Sequence, residues 1–215
     1  MIPLLHDFTD ETVLVVGGGP VGARKARRFA AEATVVVVSP EFAEREFGDA
    51  QQVRAAPDAD GIVAWVERTD PALVVAATDD SDLNDAAAAA AREAGALVNR
   101  ADDHGERAVD DVAVPATVRD DPVTLAFATG GRAPALSKYL REEFEAQFGS
   151  AGAMATLVGD LRDDLQSQGV DPERRREIVR TVVRNRELWK ALDRGEPNPD
   201  QVLADVIEDL PGETA

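Results

Sequence analysis

The sequence lacks cysteine altogether and has only three lysines, two histidines and one tyrosine in 215 residues. Without cysteine the chain can form no disulfide, thiolate metal site or cysteine nucleophile. This absence is typical of a reducing compartment, so we expect a cytoplasmic protein. The histidines, His6 and His104, are too few for a clustered His/Cys metal site, and we expect no resident metal.

Long apolar runs are missing as well. No stretch reaches the length of a membrane span, and the start MIPLLHDFTDE has no basic n-region, so we expect neither a signal peptide nor a membrane partner. The 41 acidic and 23 basic side chains give a net charge of −18. A negative charge of this size repels nucleic acid, so we do not expect nucleic acid as a partner. An acid-rich, lysine-poor composition is typical of proteins from halophiles.

The first half of the chain alternates apolar runs with helix-like segments. Apolar runs without polar alternation are typical of strands buried in parallel sheets. The predicted strands are residues 12–16, 34–38, 61–66, 72–77 and 96–99. An alanine-rich helix is predicted at 82–95. This alternation indicates an α/β fold with a Rossmann-like, doubly wound parallel sheet.

The pattern changes after residue 110. Residues 111–118 and 122–129 are predicted to be short strands joined by a turn, a pair of the kind that extends a sheet or meets a partner chain. An amphipathic helix is predicted at 133–148. Only helices are predicted beyond it. They span 151–168, 172–194 and 199–210.

The stretch VLVVGGGPVGARKA carries the clearest functional signal. Gly17, Gly19 and Gly22 match G-x-G-x-x-G between a predicted strand and a helix that begins at Pro20 and Val21. In this motif the glycines permit a tight turn, a close backbone approach to a pyrophosphate and close packing of helix on strand. The helix amino terminus then faces the phosphates. The alternative is a glycine turn that only packs a strand on a helix.

The end of the second strand bears on the choice of dinucleotide. The acidic residue that usually binds the ribose is displaced here, because the strand ends in Ser39, with Glu41 two residues later and Phe42 beside it. Glu41 either reaches a ribose or starts the next helix. No arginine directly follows the strand to bind a 2′-phosphate, Arg45 being farther on, so NAD is favoured over NADP.

The fourth strand ends in AATDD. Ligands of such sheets bind beyond the carboxyl ends of the strands, so Thr78 and Asp79 are expected to edge the dinucleotide crevice. Asp80 or Ser81 is equally suited to cap the helix that follows, and both interpretations can hold together.

Four segments occur in an order that resembles a known family. They are VLVVGGGPVGARKA, AATDDSDLN, VNRADD and LAFATGGRAPALSKYLRE. Together they resemble the precorrin-2 dehydrogenase and sirohydrochlorin ferrochelatase family, the amino-terminal module of siroheme synthase, in its stand-alone form. The resemblance covers residues from about 5 to 148, and the helices after it fit the family only in kind.

The resemblance implies NAD-dependent dehydrogenation of precorrin-2 to sirohydrochlorin in siroheme biosynthesis, and in some members the insertion of ferrous iron. It implies a tetrapyrrole substrate and a homodimer. On this basis the chain divides into an NAD-binding Rossmann-like domain at 1–112, a dimerisation and substrate-binding segment at 113–148 and a helical carboxy-terminal domain at 149–215.

The family's key aspartate lies in an N-x-x-D motif, which is read here from Asn99 to Asp102. The resemblance therefore makes Asp102 the catalytic candidate and Asn99 a substrate-binding one, with Asp103 as a rival because a short insertion follows. A carboxylate at this place can accept the proton that dehydrogenation releases. The alternative for Asp102 is a turn aspartate that binds its own backbone. His104 is interpreted as a solvated loop residue.

The substrate is a polycarboxylate, so cationic and N–H-rich surroundings are expected. Thr129, Gly130, Gly131 and Arg132 form a predicted loop before a helix, whose amino terminus is suited to bind an anion. An ordinary glycine turn and amphipathic helix remain a serious alternative, above all for the individual cations. These cations are Arg132, Lys138 and Arg141.

Two rival functions stay open. One is a redox-sensing regulator that binds NAD without catalysis and meets DNA through the stripe Arg176, Arg180 and Arg184, although neighbouring acids and the overall charge oppose this. A solvated helix face explains the same stripe. The other rival is a different small NAD-dependent oxidoreductase.

Overall fold

The computed structural model describes residues 2–101, 111–195 and 198–209. The chain divides into two compact units, the first ending at Val114 and the second beginning at Pro115. No helix in the described ranges is long and apolar enough to cross a membrane. The separate boundary expected at residues 148 and 149 stays a prediction.

The first unit is built on a five-stranded sheet in which every strand pairing is parallel. Its elements are β1 (Thr12–Val16), α1 (Pro20–Phe29), β2 (Thr34–Ser39), β3 (Gln51–Arg54), α2 (Ala59–Thr69), β4 (Leu73–Ala76), α3 (Ser81–Glu93) and β5 (Leu97–Arg100). The strand order is β3-β2-β1-β4-β5, which confirms the Rossmann-like prediction.

Alternate residues of each strand enter two separate cores, one on each face of the sheet. Leu14 and Val16 of β1 pack in the core that contains α2 and α3. Val13 and Val15 pack in the other core, with α1. Because successive side chains point to opposite faces, a strand with helices on both sides must be apolar at every position. This requirement explains the valine runs of β1 and β2.

The predicted strand at 61–66 is wrong, because these residues lie in the helix α2. Asp58 caps the helix by accepting a hydrogen bond from the Gly61 N–H at 2.9 Å. Ile62 and Val66, one helical turn apart, are buried, whereas Val63 between them is exposed. A short apolar run does not distinguish a strand from a helix, and here the spacing of four residues was the relevant period.

The third strand of the sheet is instead QQVR, residues Gln51–Arg54, which the sequence pattern did not reveal. Its two glutamines and its arginine are exposed, because β3 lies at the edge of the sheet and, among the described strands, pairs with β2 alone. An edge strand with polar side chains lacks the apolar signature of a buried strand. The other four predicted strands are present.

The second unit opens with an antiparallel pair, β6 (Ala116–Asp120) and β7 (Val123–Phe127). The first of these begins later than predicted, since Asp111 makes only an isolated bridge to Val98 in the first unit. Five helices follow within the described residues. They are α4 (Pro134–Phe148), α5 (Ala151–Ser167), α6 (Pro172–Arg184), α7 (Arg186–Arg194) and α8 (Pro199–Glu208).

The single helix predicted at 172–194 is two helices that meet at Asn185. This residue has an extended backbone, and its side chain accepts a hydrogen bond from the Leu188 N–H at 2.9 Å, which caps α7. Asparagine is a strong amino-terminal cap, so it can end one helix and start another. The bend lets Ile178 and Val182 of α6 and Leu188 of α7 join one core with α5.

Candidate functional site

The carboxyl ends of β1, β2 and β4 converge around the glycine loop. Gly17 directly follows β1 and donates its N–H to the Val38 carbonyl of β2 at 2.9 Å. A Cβ placed on Gly17 would lie 2.4 Å from the Ala77 carbonyl oxygen, just beyond β4. Gly17 also has a φ of +117°, a conformation that glycine adopts without steric penalty. The loop therefore depends on glycine both for its backbone shape and for its contact with β4.

Gly22 brings helix α1 against the loop. A Cβ on Gly22 would lie only 2.0 Å from the Gly17 carbonyl oxygen. No side chain fits in this space, so the third glycine of the motif is required for close packing of helix on strand. The structure confirms the steric part of the sequence argument here.

Gly18 is a third constrained glycine that the motif does not single out. Its Cβ would meet the Glu41 carbonyl oxygen at 2.3 Å and the Phe42 ring at 2.9 Å. Its carbonyl accepts a hydrogen bond from the Ala43 N–H at 2.8 Å. The GGG run could have revealed the constraint on Gly18, because the motif assigns no role to the middle glycine and its presence needs another explanation. That reason is the segment after β2, which lies directly against the loop.

Gly19 differs from these three, because a Cβ there would meet nothing within 4 Å. Its φ of −70° is accessible to any residue, so neither packing nor backbone strain explains the glycine. Gly19 is also the N-cap of α1, with no side-chain cap, and Pro20 and Val21 begin the helix without an acidic residue in the first turn. Open backbone at a helix amino terminus suits a diphosphate, so this loop fits the dinucleotide predicted from the sequence.

The predicted ribose-side residues lie together beside the loop. Ser39 is the last residue of β2 and is buried, whereas Glu41 is exposed and Phe42 half-buried. Arg54, at the end of β3 and in register with Ser39, donates to the Pro40 carbonyl at 3.0 Å, and its guanidinium lies 5.8 Å from the centroid of the Phe42 ring. Sequence reasoning missed Arg54 because it missed β3.

Thr78 is held in place by Asn84, a buried residue of α3 that sequence reasoning also missed. Asn84 Oδ1 accepts the Thr78 N–H at 3.1 Å and lies 2.8 Å from its hydroxyl, and Asn84 Nδ2 donates to the Thr78 carbonyl at 2.9 Å. Asp80 caps α3 by accepting from the Asp82 and Leu83 N–H groups. The capping interpretation of Asp80 is therefore confirmed, and Asp79 is left exposed beside it.

Asn99 is buried in β5, with 3% of its surface exposed. Its Oδ1 accepts a hydrogen bond from Lys25 Nζ of α1 at 2.8 Å, and its Nδ2 donates to the Val112 carbonyl at 2.7 Å. Both ends of the amide are thus engaged within the first unit. This arrangement joins β5 to α1 and to the segment before the second unit, and the substrate-binding role predicted for Asn99 stays a prediction.

The catalytic candidate Asp102 lies outside the described residues, as do Asp103 and His104. Described residues reach Ala101, whose N–H donates to the Ala76 carbonyl of β4 at 2.9 Å. Arg100, the last residue of β5, forms an ion pair with Asp85 of α3. The chain therefore follows β5 to the same edge of the sheet that carries the glycine loop.

The second unit holds the predicted loop of Thr129, Gly130 and Gly131. Both glycines have positive φ, +61° and +80°, so the turn depends on them. The Thr129 hydroxyl accepts the Ala133 N–H at 3.3 Å and lies 3.2 Å from the hydroxyl of Ser137, which is buried in α4. These contacts fix Thr129 at the start of the helix, and they supply a structural role beside the predicted substrate contact.

The three cations of this region differ in their surroundings. Lys138 pairs with Glu142 at 3.6 Å and Arg141 with Glu145 at 2.6 Å, one helical turn apart on α4. Arg132 is exposed in the loop and forms no ion pair with any residue in the described ranges. Exposed pairs along a helix are ordinary surface features, and the substrate contact predicted for Arg132 stays a prediction.

Comparison with known proteins connects this site to a family. The sequence model of a family described as "Putative NAD(P)-binding" matches residues 4–116, which include the glycine loop and all five parallel strands. The match covers more than half of the chain. It supports the use of a nicotinamide dinucleotide by this chain.

Relatives extend the match over both units. A precorrin-2 dehydrogenase from Methanosarcina barkeri is 30% identical over 203 residues, 89% of this chain and 86% of that protein. Siroheme synthase 1 from Aeromonas salmonicida is 31% identical over 96% of this chain, and the chain spans only 44% of that longer protein.

A solved structure agrees in fold. SirC, described as a precorrin-2 dehydrogenase, has a TM-score of 0.63 at 21% identity, with 97% of this chain and 99% of SirC covered. The resemblance predicted from the four sequence segments is confirmed by the family model and by these relatives. This chain belongs to the precorrin-2 dehydrogenase family.

Proposed function

We propose that this chain oxidises precorrin-2 to sirohydrochlorin with NAD, a step of siroheme biosynthesis. The observation that carries the proposal is the glycine loop, in which three glycines are required by packing and the fourth, Gly19, leaves its backbone open. The match to a precorrin-2 dehydrogenase along nearly its whole length supports the same substrate.

NAD supplies the hydride acceptor when it is bound, and the protein binds and orients it. The Gly19 backbone and the first turn of α1 receive the diphosphate, since they offer N–H groups and a favourable helix dipole. Ser39, Glu41 and Phe42 lie where the adenosine half is expected, and Thr78 and Asp79 edge the crevice on the side of β4. Asn84 keeps Thr78 in position.

Asp102 is proposed as the group that accepts the proton lost from precorrin-2. Dehydrogenation removes a hydride and a proton together, and a carboxylate beyond a strand end can take the proton. The direct test is Asp102→Asn, with Asp103→Asn as the matched control. We expect Asp102→Asn to lower kcat by at least about a hundredfold while NAD affinity is retained. Full activity in Asp102→Asn would remove this residue from the mechanism.

Arg132 and the loop from Thr129 to Gly131 are proposed to bind substrate carboxylates. A guanidinium just before α4, with no ion pair among the described residues, offers a charge-assisted contact to a carboxylate. Arg132→Gln should therefore raise the KM for precorrin-2 and leave the KM for NAD unchanged. Lys138→Gln removes a charge already paired with Glu142 and serves as the control. Equal effects of both substitutions would contradict the assignment.

The segment 113–148 is proposed to form a homodimer contact. Leu136, Tyr139 and Leu140 of α4 are exposed by 48%, 55% and 39%, which is unusual for three large side chains on one helix. We expect light scattering to show a dimer that Leu136→Asp dissociates. Val63→Asp, a charge at an isolated exposed valine of α2, is the matched control. A wild-type monomer, or dissociation of both variants alike, would refute the contact.

The overall function is tested by following the absorbance of sirohydrochlorin as NAD is reduced. The lack of cysteine supports a cytoplasmic protein, and the charge of −18 supports a halophilic one, so the assay should be run across a series of KCl concentrations. Iron insertion is a separate reaction, and supplying sirohydrochlorin with ferrous iron and no NAD tests it alone.

The relatives named above are dehydrogenases and siroheme synthases, and nothing among them supports the regulator alternative.

A further inference from the structure

The second unit contains a groove between α5 and α6 that is lined by cations. Its volume is about 750 Å³. The charged residues along it are Arg162, Arg175, Arg176, Arg180 and Arg184. Val179 and Val183 lie between the arginines, and no carboxylate is among the described side chains that line the groove. A concentration of five guanidinium groups is unexpected in a chain of net charge −18.

The distribution of charge on α5 shows that the two sides of this helix differ. Arg162 and Gln166, one helical turn apart, face the groove beside α6. Asp160 and Asp164, also one turn apart, line a different depression together with Asp200 of α8. Two of the acidic side chains of α5 thus lie on a different side of the helix from Arg162. The side chains that line the groove carry a net positive charge even though the protein as a whole is acidic.

Glu173 and Glu177 lie on α6 with four of the groove's arginines, but among the described residues neither forms a close ion pair with a guanidinium group of the groove. Within the part of the chain that the structure describes, none of the five forms an ion pair, whereas Arg174 on the same helix pairs with Glu177 at 2.7 Å. Arg175 donates to Gln166 Oε1 at 3.1 Å, but its Nε is buried without a partner among the described residues. Buried donors and clustered cations are costly unless a ligand satisfies them.

The chemistry of the groove selects a particular class of ligand. Guanidinium groups bind carboxylates in a bidentate manner, and the two valines offer apolar surface to a ring system. A phosphate would need the cations but not the apolar floor. A polycarboxylated tetrapyrrole has both a ring and a rim of carboxylates, and it is the class of molecule that the proposed reaction uses.

We propose that the groove of α5 and α6 is a second binding site for a polycarboxylated tetrapyrrole, separate from the loop at Arg132 and not part of the reaction. The choice of ligand rests on the proposed function. Such a site would retain the substrate or product near the enzyme, because the acidic remainder of the surface repels polyanions.

The test is calorimetric titration with uroporphyrin, an aromatic tetrapyrrole that carries the same carboxylate side chains but cannot undergo this dehydrogenation. The variant Arg180→Gln/Arg184→Gln removes two cations of the groove. The control Arg174→Gln/Arg186→Gln removes two cations from nearby positions that do not line it. Circular dichroism checks that both variants fold.

We expect the groove variant to bind one equivalent of uroporphyrin fewer than the control, or to bind it at least roughly tenfold more weakly. Both variants should oxidise precorrin-2 with unchanged kcat. Equal titrations for the two variants would overturn the proposal. A dimer that dissociates in the groove variant alone, with uroporphyrin binding intact, would also overturn it and assign the groove to a contact between copies.

Failure of the proposed function has a different signature. If the wild-type protein does not oxidise precorrin-2, the dehydrogenase assignment fails, while the difference between the two variants in uroporphyrin binding still decides the groove. Binding that depends on Arg180 and Arg184 but is equally strong for inorganic tripolyphosphate would exclude the tetrapyrrole as the selected ligand.

Discussion

Substitution of alanine at Gly19 and at Gly22 separates two roles that the motif combines. The two positions lie three residues apart in one loop, and each substitution adds one methyl group. At Gly22 the new Cβ would lie 2.0 Å from the Gly17 carbonyl oxygen, whereas at Gly19 it would meet nothing within 4 Å. The structure therefore predicts opposite outcomes for stability and for ligand binding.

Gly22→Ala should destabilise the first unit strongly. The Gly17 oxygen would have to retreat by about 1 Å to reach even a tight contact, yet Gly17 is itself held between β2 and β4. Overpacking typically costs about 1–3 kcal/mol, and the backbone held on both sides places Gly22→Ala at the upper end of that range. Gly19→Ala should cost no more than about 1 kcal/mol, the usual difference between these residues at an N-cap.

For dinucleotide binding, the larger effect should come from Gly19→Ala. Gly19→Ala places a methyl group on the open backbone where the diphosphate is expected, so the Kd for NAD should rise at least about tenfold, which corresponds to 1.4 kcal/mol. Urea unfolding measures stability and calorimetry measures NAD binding, both in the same KCl concentration. A Gly19→Ala protein that binds NAD with wild-type affinity would show that the diphosphate does not approach this backbone. A Gly22→Ala protein of wild-type stability would refute the packing argument.

Three further outcomes follow from the described contacts. Gly152→Ala should destabilise the second unit by about 2 kcal/mol or more, because its Cβ would lie 2.3 Å from the Asp121 carbonyl oxygen, whereas Gly159→Ala in the same helix meets nothing and should stabilise it by about 0.5–1 kcal/mol. Thermal unfolding of the two variants checks this difference, and equal shifts would contradict it. Asp120→Ala should cost about 1–2 kcal/mol by removing the carboxylate that accepts the Gly152 N–H at the start of α5, and denaturant titration measures the loss. Asn84→Ala should cost about 3 kcal/mol and raise the KM for NAD, because it leaves the Thr78 backbone groups unpaired, and an unchanged KM beside a loss of stability would separate Thr78 from cofactor binding.

The glycine motif shows how much of the site could be predicted from the sequence. Gly17 and Gly22 are defined by a local pattern, strand, turn and helix, whose geometry follows from a short segment. Gly18 is different, since its constraint comes from Glu41 and Phe42, more than twenty residues away. Local periodicity carries no information about such a contact. The same reason explains why Asn84 was missed, because it reads as one polar residue on an alanine-rich helix.

The strand β3 shows the limit for the fold. Its four residues are mostly polar and exposed, while the apolar run GIVAWV that follows in the sequence lies in a helix. A run of hydrophobic residues predicts a buried segment. It therefore reveals a strand only when that strand lies inside the sheet. An edge position is decided by the pairing of β2 with β3, which is a tertiary fact.

By itself the sequence determined the alternating parallel architecture, the glycine loop and the family, because each depends on the order of residues within short segments. The tertiary structure decided which cations are already paired, as Lys138 and Arg141 are, and which gather around an open groove, as Arg176 and Arg180 do. Charge along a chain is fixed by composition, but the field that a ligand meets depends on which side chains the packing of α5 and α6 brings together.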